Sequence, residues 1–171
     1  HVLAGELDRP TLPLIPGHQV VGTIGAVGDR VADRRMGDLV GVPWLGWADG
    51  TCRYCTSGRE NLCPDARFTG YDLDGGYAER LVVDARFCLP VPRGFEPVAA
   101  TPLLCAGAIG YRALRLAGDG GLIGLYGFGN AARLVTQIAL HEGCSVFFFN
   151  DTATTETQRL AVERGCAWAG D

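Results

Sequence analysis

A loop about one third of the way along the sequence carries three cysteines and an aspartate at a spacing typical of metal ligands. Asp49, Cys52, Cys55 and Cys63 follow the pattern D-x2-C-x2-C-x7-C. Four ligands this close along one loop are what a tetrahedral zinc site needs, with thiolate sulfur as the softer ligand and carboxylate oxygen as the weaker member. A disulfide would leave one of the three thiols unpaired. We therefore predict a structural zinc site here, and the alternative is three reduced thiols that bind no metal.

Composition narrows the class of protein. The 171 residues carry a net charge of −4, and 47% of them are apolar. The basic residues are scattered, which argues against nucleic-acid binding, and no apolar run is long enough to span a bilayer. The cysteine count is odd, at seven, and no leader sequence is visible. We therefore expect a cytoplasmic protein whose cysteines stay reduced, with no membrane or nucleic-acid partner.

The chain changes character near residue 100, and we expect two domains, 1–100 and 101–171. The first part reads as short strands punctuated by Gly and Pro, typical of a small, partly open β-barrel. Its predicted strands cover residues 20–28, 39–42 and 77–83.

The second part alternates helical and strand-like segments after a helix near residue 97. This alternation predicts the start of a parallel α/β sheet. The predicted helices cover residues 105–116, 133–141 and 156–164, and the predicted strands cover 122–126 and 146–149.

A glycine-rich turn joins the first of these strands to its helix. The pattern Gly127-x-Gly129-x-x-Ala132 allows a tight turn, a close backbone approach to a pyrophosphate and close helix–strand packing. The helix N-terminus would face the phosphates with its partial positive charge. We predict dinucleotide binding here rather than a plain turn. The candidate coenzyme-binding residues are Gly127, Phe128, Gly129, Asn130 and Ala131.

Asp151 is a further coenzyme candidate. It lies 24 positions after Gly127, near the place where an acidic residue of such a domain holds the ribose 2′-hydroxyl and disfavours NADP. The alternative is that Asp151 caps the next helix or lies in a turn.

Four motifs, in this order, resemble those of the zinc-containing medium-chain alcohol dehydrogenase family. Residues 17–31 read G-H-Q-x2-G-x5-G-x2-V, where that family has Glu in place of Gln. The cysteine loop of residues 49–63 resembles the family's structural-zinc lobe, with Asp in place of the first Cys. Residues 103–107 read L-L-C-A-G, like the segment with a catalytic-zinc thiolate, and residues 127–132 resemble the coenzyme-binding turn.

The resemblance implies roles for individual residues. His18 and Cys105 match two ligands of a catalytic zinc, whose first cysteine ligand would lie upstream of His1. His1 matches the residue that relays the alcohol proton to solvent. Gln19 replaces an acid next to the metal ligands, which removes a negative charge but need not abolish zinc binding. Trp44 matches an aromatic wall of the substrate pocket.

The implied fold is a GroES-like, partly open β-barrel followed by a truncated Rossmann domain. The implied activity is hydride transfer between an alcohol or aldehyde and NAD or NADP, with catalytic and structural Zn²⁺, in a homodimer or homotetramer. Residues 147–156 read unlike the family, so the choice between NAD and NADP stays open. We expect the 171-residue chain alone to be inactive. The alternatives are a zinc-independent quinone or enoyl reductase of the same superfamily and a non-catalytic, zinc-stabilised binding module.

Overall fold

The computed structural model describes residues 1–7, 10, 12–118, 120–150 and 155–171. The chain forms two compact units, His1–Cys105 and Ala106–Asp171, so the division falls five residues beyond the predicted boundary. Within the described ranges, no helix has the length and apolar character needed to cross a membrane.

The first unit is built from short antiparallel strands. Strand β2 lies between β1 and β5 in one sheet, and β3 pairs with β4 in a second sheet. The described part of this unit contains no closed barrel, which agrees with the predicted partly open arrangement. Its strands are β1 Val20–Thr23, β2 Leu39–Val42, β3 Leu45–Trp47, β4 Arg67–Phe68 and β5 Leu89–Pro90, and its short helix α1 is Pro97–Ala100.

Two strand predictions in this unit need correction. The first strand ends at Thr23 rather than at residue 28. Residues 77–83, predicted as a strand from their apolar pattern, form no strand at all. A strand is stable only when its backbone groups bond a neighbouring strand. Here the Tyr77 N–H bonds the carbonyl of Pro16, but Val82 is 98% exposed and no described strand pairs with the segment. The local apolar pattern could not show that a partner was lacking.

The second unit contains a parallel sheet in the order β6-β7-β8, and this confirms the predicted α/β sheet. Leu122 is in register with Ser145, and Tyr126 with Phe149. The third strand was not predicted from the sequence. The elements are α2 Ala106–Ala117, β6 Leu122–Tyr126, α3 Asn130–His141, β7 Ser145–Phe149, α4 Thr155–Glu163 and β8 Trp168–Gly170.

One face of this sheet packs into the core of the second unit. Val146 and Phe148 of β7 are fully buried, and Val135 and Ala139 of α3 lie in the same cluster. Alternate residues of a strand share a face, as do residues four apart on a helix. This packing fixes α3 against the sheet and therefore holds the turn between β6 and α3 at the carboxyl end of β6.

Candidate metal centre and coenzyme turn

The structure brings the four predicted lobe ligands together. One ligand atom each from Asp49, Cys52, Cys55 and Cys63 lies within 4.8 Å of all the others. Cys55 and Cys63 are buried, and Cys52 is half-buried. All seven cysteines belong to the described part of the chain, and each is a free thiol. We refer to these four residues as the metal lobe.

Local backbone structure explains how the lobe forms. Two short 3-10 helices, Cys55–Ser57 and Glu60–Leu62, fold the chain back on itself. Between them Gly58 adopts a left-handed conformation, with φ of 70°. The Cys55 N–H points at the Cys52 sulfur at 3.5 Å. The tight spacing of the cysteines therefore becomes a converging set of sulfurs.

Asp49 is oriented by hydrogen bonds from the backbone that follows it. Its Oδ1 accepts the N–H groups of Thr51 at 2.6 Å and Cys52 at 2.8 Å. Its other oxygen, Oδ2, accepts from the Cys63 thiol at 3.2 Å. One carboxylate oxygen thus anchors the loop, while the other faces the Cys63 thiol on the side where the sulfurs converge.

The protonation states of Asp49 and Cys55 affect metal binding in opposite directions. The backbone hydrogen bonds from Cys52 and Thr51 hold the pKa of Asp49 well below its usual range. Burial raises the pKa of the Cys55 thiol to about 12. Asp49 is therefore already a carboxylate at neutral pH, whereas Cys55 keeps its proton until a metal ion displaces it.

The donor set fits zinc. Ligands on a tetrahedral zinc ion with Zn–S bonds of about 2.3 Å lie roughly 3.8 Å apart. Ligand atoms already within 4.8 Å of one another need only a small inward movement to reach that geometry. Three sulfurs and one carboxylate oxygen are also ligand types that zinc accepts.

His18 lies just before β1, beside a group of aromatic rings. Its ring meets Trp44 edge-on, with the ring centroids 5.0 Å apart. Trp44 in turn stacks on Phe68 at 4.9 Å and lies 6.1 Å from Tyr71. Trp44 was predicted to wall a substrate pocket, and it does lie next to the predicted metal ligand. Phe68 and Tyr71 were not singled out, because no motif marks them.

The backbone before His18 is held by a close glycine contact. The N–H of Gly75 bonds the Ile15 carbonyl at 2.6 Å, and Gly76 bonds the Gly17 carbonyl at 2.9 Å. A Cβ atom at Gly75 would stand 2.1 Å from the Gly17 carbonyl oxygen and 2.7 Å from that of Pro16. Only glycine allows these two segments to pack so closely, and this contact fixes the chain that leads into His18.

We therefore expect Gly75→Ala to destabilise the first unit by about 3 kcal/mol or more, the upper end of the cost of overpacking. The rigid backbone of residues 16 and 17 leaves the new methyl group no room. Gly25→Ala is the control, because nothing lies within 4 Å of its added Cβ. Urea unfolding followed by Trp fluorescence measures both variants. Equal stability of the two proteins would show that the close contact at Gly75 is not real.

Partial burial of the His18 ring lowers its pKa below the ordinary value of 6.5. The unfolded chain takes up a proton near pH 6.5, whereas the folded chain resists it until lower pH. His18 therefore makes stability fall as pH drops through 6.5 toward the folded pKa.

We expect NMR titration of the metal-free chain to show a His18 midpoint below 6.5, with His18→Gln used to assign the signal. A midpoint at or above 6.5 would mean that the ring is not desolvated. A neutral imidazole at pH 7 is the form that binds a metal ion.

Cys105 ends a short 3-10 helix, Thr101–Leu104. This helix packs alongside β1 and β2, and the Leu104 side chain lies directly on Gly41 of β2. The same two strands follow His18 in the chain. The fold therefore places both predicted catalytic ligands beside one sheet, and their sharing of one metal ion stays a prediction.

His1 is exposed, and its Nδ1 contacts the carboxylate of Glu6. Its proposed role as a proton relay stays a prediction. Asp151, the predicted ribose contact, lies outside the described residues.

The predicted coenzyme-binding turn has the expected strand–turn–helix form. Gly127 follows β6 with φ of 89°, a conformation that L side chains rarely adopt, and its N–H bonds the Phe149 carbonyl at 3.0 Å. Gly129 precedes α3 with φ of −76° and ψ of −170°. Phe128 is buried in the core, and this anchors the turn.

Open space surrounds both glycines of the turn. A Cβ at Gly127 or at Gly129 would meet no atom within 4 Å. Packing therefore does not explain the glycine at position 129, whose backbone conformation suits any residue. Asn130 and Ala131 begin α3, and their exposed or half-buried positions leave the helix N-terminus accessible.

The family described as "Alcohol dehydrogenase GroES-like domain" matches residues 1–93. The chain belongs to this alcohol dehydrogenase family. The match covers most of the unit that contains the metal lobe and His18 and ends before Cys105.

Curated relatives of the alcohol dehydrogenase family match nearly the whole chain. "Probable alcohol dehydrogenase AdhA" of Mycobacterium tuberculosis is 43% identical over 100% of this chain and 51% of its own length. An alcohol dehydrogenase of Geobacillus stearothermophilus is 39% identical over 92% of this chain and 46% of its own length. The chain thus spans about half the length of these relatives.

A solved structure with a similar fold also matches the chain. The crystal structure of CAD from Helicobacter pylori, complexed with NADP(H), matches with a TM-score of 0.88 and 28% identity. The match covers 97% of this chain and 50% of that one.

Proposed function

We propose that the complete protein is a zinc-dependent alcohol dehydrogenase that transfers hydride between a primary or secondary alcohol, or the corresponding aldehyde or ketone, and NAD(P). The observation that carries this proposal is the turn between β6 and α3. It presents an accessible helix N-terminus behind two glycines with open space around them. This arrangement suits a pyrophosphate, and the NADP(H) complex of the Helicobacter pylori relative supports a dinucleotide as the ligand.

His18 and Cys105 are the residues of this chain that would hold the catalytic zinc. Imidazole nitrogen and thiolate sulfur are both zinc donors, and the lowered pKa of His18 keeps its nitrogen lone pair available. The chemistry supplied by zinc, when bound, is polarisation of the alcohol oxygen.

The other residues of the first unit would position the substrate and move its proton. Trp44, supported by its stack on Phe68, offers an apolar wall that excludes water from the carbon that loses hydride. His1 would pass the alcohol proton to solvent as a general base. The metal lobe would have a structural task, because a zinc ion there ties residues 49–63 into one fold.

The proposed assembly is a homodimer or homotetramer in the cytoplasm, with a small alcohol or aldehyde as the substrate. The coenzyme is NAD or NADP. Gel filtration with light scattering on the complete protein tests the assembly, and a monomer would contradict it.

The activity is tested by alcohol-dependent reduction of NAD(P) with the complete protein and its His18→Ala and Cys105→Ala variants. We expect both variants to lose at least about 99% of kcat, because each lacks a catalytic-zinc ligand. Cys144→Ala is the control, since this half-buried thiol belongs to the second unit and lies against its core. Full activity in the His18 and Cys105 variants would favour a zinc-independent quinone or enoyl reductase. Absence of dinucleotide binding in the wild type would favour a non-catalytic binding module.

A further inference from the structure

Arg86 reaches the metal lobe from a distant part of the first unit. It lies on a short 3-10 helix, Ala85–Phe87, that packs against β3. Its Nη2 donates to the Ala48 carbonyl at 3.1 Å. Its Nη1 lies 3.2 Å from the position that a Cβ on Gly50 would occupy. The guanidinium group therefore bonds the backbone just before Asp49 and lies beside the residue just after it.

Asp84 fixes the orientation of this guanidinium group. The Nε of Arg86 donates to both carboxylate oxygens of Asp84 at 3.1 Å, and Nη2 donates to Oδ2 at 2.7 Å. Asp84 also accepts the backbone N–H of Arg86 at 3.0 Å. A guanidinium group held at several points loses less freedom with each added contact than a lysine would. Arg86 is thus preorganised to hold the Ala48 carbonyl.

The same region packs against the buried residues of the lobe. Phe87 contacts the buried cluster of Ala48, Cys55 and Cys63. Ala48 is only 1% exposed, so the backbone next to Asp49 has little room to shift once Arg86 is in place. Three thiolates and a carboxylate around a divalent ion leave an excess of negative charge, which a nearby guanidinium group partly offsets.

We propose that Arg86 is a positioning residue for the metal lobe. It holds residues 48–50 so that the Asp49 carboxylate faces the three sulfurs, and it places a positive charge beside them. This inference rests on the proposed structural zinc site. Neighbouring groups that orient metal ligands typically change metal affinity 10- to 100-fold when they are removed. Arg86 was missed by the sequence analysis because it lies 37 positions from Asp49 and no motif connects them.

The test measures zinc affinity of the 171-residue chain by competition with a chromophoric chelator. We expect Arg86→Ala to weaken zinc binding roughly 10- to 100-fold. Arg86→Lys should recover only part of the lost zinc affinity, since lysine keeps the positive charge but lacks the planar guanidinium group with its several N–H donors. Arg53→Ala is the matched control, because Arg53 lies between Cys52 and Cys55 in the sequence but bonds the Tyr54 hydroxyl instead. The Arg53→Ala substitution removes one positive charge near the lobe, as Arg86→Ala does, but leaves the contact that holds residues 48–50 intact.

Two further readouts separate positioning from general destabilisation. If Arg86 acts through Asp49, then Arg86→Ala should weaken binding much less in an Asp49→Asn background than in the wild type. The Co²⁺ absorption spectrum of Arg86→Ala should also shift toward that of Asp49→Asn while keeping its thiolate bands, because the sulfur ligands are unchanged.

The outcomes distinguish this inference from the zinc site itself. A wild-type chain that binds no zinc overturns both. A wild type that binds zinc, with Arg86→Ala binding it equally well, overturns only the role of Arg86. Equal losses in the Arg86→Ala and Arg53→Ala variants would show a general charge effect and also overturn the positioning role. If the losses of zinc affinity in Arg86→Ala and Asp49→Asn simply add in the double variant, the positioning role is likewise overturned.

Discussion

We expect the Cys55→Ala variant of the 171-residue chain to lose its zinc ion. Cys55 is buried among the lobe ligands, so no water or outside group replaces its sulfur easily. Structural zinc sites are worth about 10–16 kcal/mol. Removing one of the four ligands, if it costs a quarter of this binding free energy, weakens zinc affinity roughly hundred- to thousandfold. Elemental analysis after dialysis against a weak chelator should find about one zinc ion in the wild type and almost none in the variant.

Cys144→Ala serves as the control for this experiment. Cys144 is a half-buried free thiol of the second unit and packs against its core cluster. Its loss should leave the zinc content unchanged. If the Cys55 and Cys144 variants retain equal zinc, the lobe cannot be the binding site, and the three lobe cysteines are simply reduced thiols.

The second large effect is expected at Gly129, from a change that should not harm the fold. Asp is a favoured residue immediately before a helix. The backbone at Gly129 suits it, with φ of −76°, and no atom lies within 4 Å of an added Cβ. Gly129→Asp should therefore fold normally, while its carboxylate stands where the coenzyme pyrophosphate would lie. We expect dinucleotide binding by the complete protein to weaken at least about 100-fold, or roughly 2.8 kcal/mol.

Gly129→Asn is the matched variant, since it has the same shape without the charge. It should weaken binding less than Asp does, and the difference measures repulsion between the carboxylate and the phosphates. Calorimetric titration gives the dissociation constants, and thermal unfolding without ligand shows that both variants are folded. Unchanged dinucleotide affinity in Gly129→Asp would show that the turn between β6 and α3 does not bind the dinucleotide.

Features determined by short stretches of sequence could be predicted well. The spacing of Cys52, Cys55 and Cys63 places the sulfurs within one loop, so their convergence depends on few other residues. The apolar run of β6 and the glycines after it likewise specify a strand and a turn, and no contact with residues far along the chain is needed to predict them. The helix after the turn begins at Asn130 rather than at residue 133, since the first turn of a helix carries a weaker apolar pattern than its middle.

Features that depend on distant partners could not be predicted. The stretch of residues 77–83 has the composition of a strand, but no strand in the described part of the chain pairs with it. The contact between Arg86 and Ala48 joins positions far apart in the chain and leaves no local pattern. The β3–β4 pair and the short strand β8 were missed, because strands of two or three residues carry too few side chains to show an alternation.

Transfer of deuterium from a labelled alcohol to the coenzyme reports on the proposed hydride transfer from an alcohol carbon to NAD(P). The complete protein is incubated with a panel of primary and secondary alcohols deuterated at the carbinol carbon, with NAD and NADP in separate reactions. Mass spectrometry then measures deuterium in the nicotinamide ring. We expect at least one alcohol to deliver one deuterium per reduced coenzyme, and we expect zinc removal to stop the transfer. Reduced coenzyme without deuterium, or transfer that persists undiminished after zinc is removed, would contradict the proposed zinc-dependent hydride transfer.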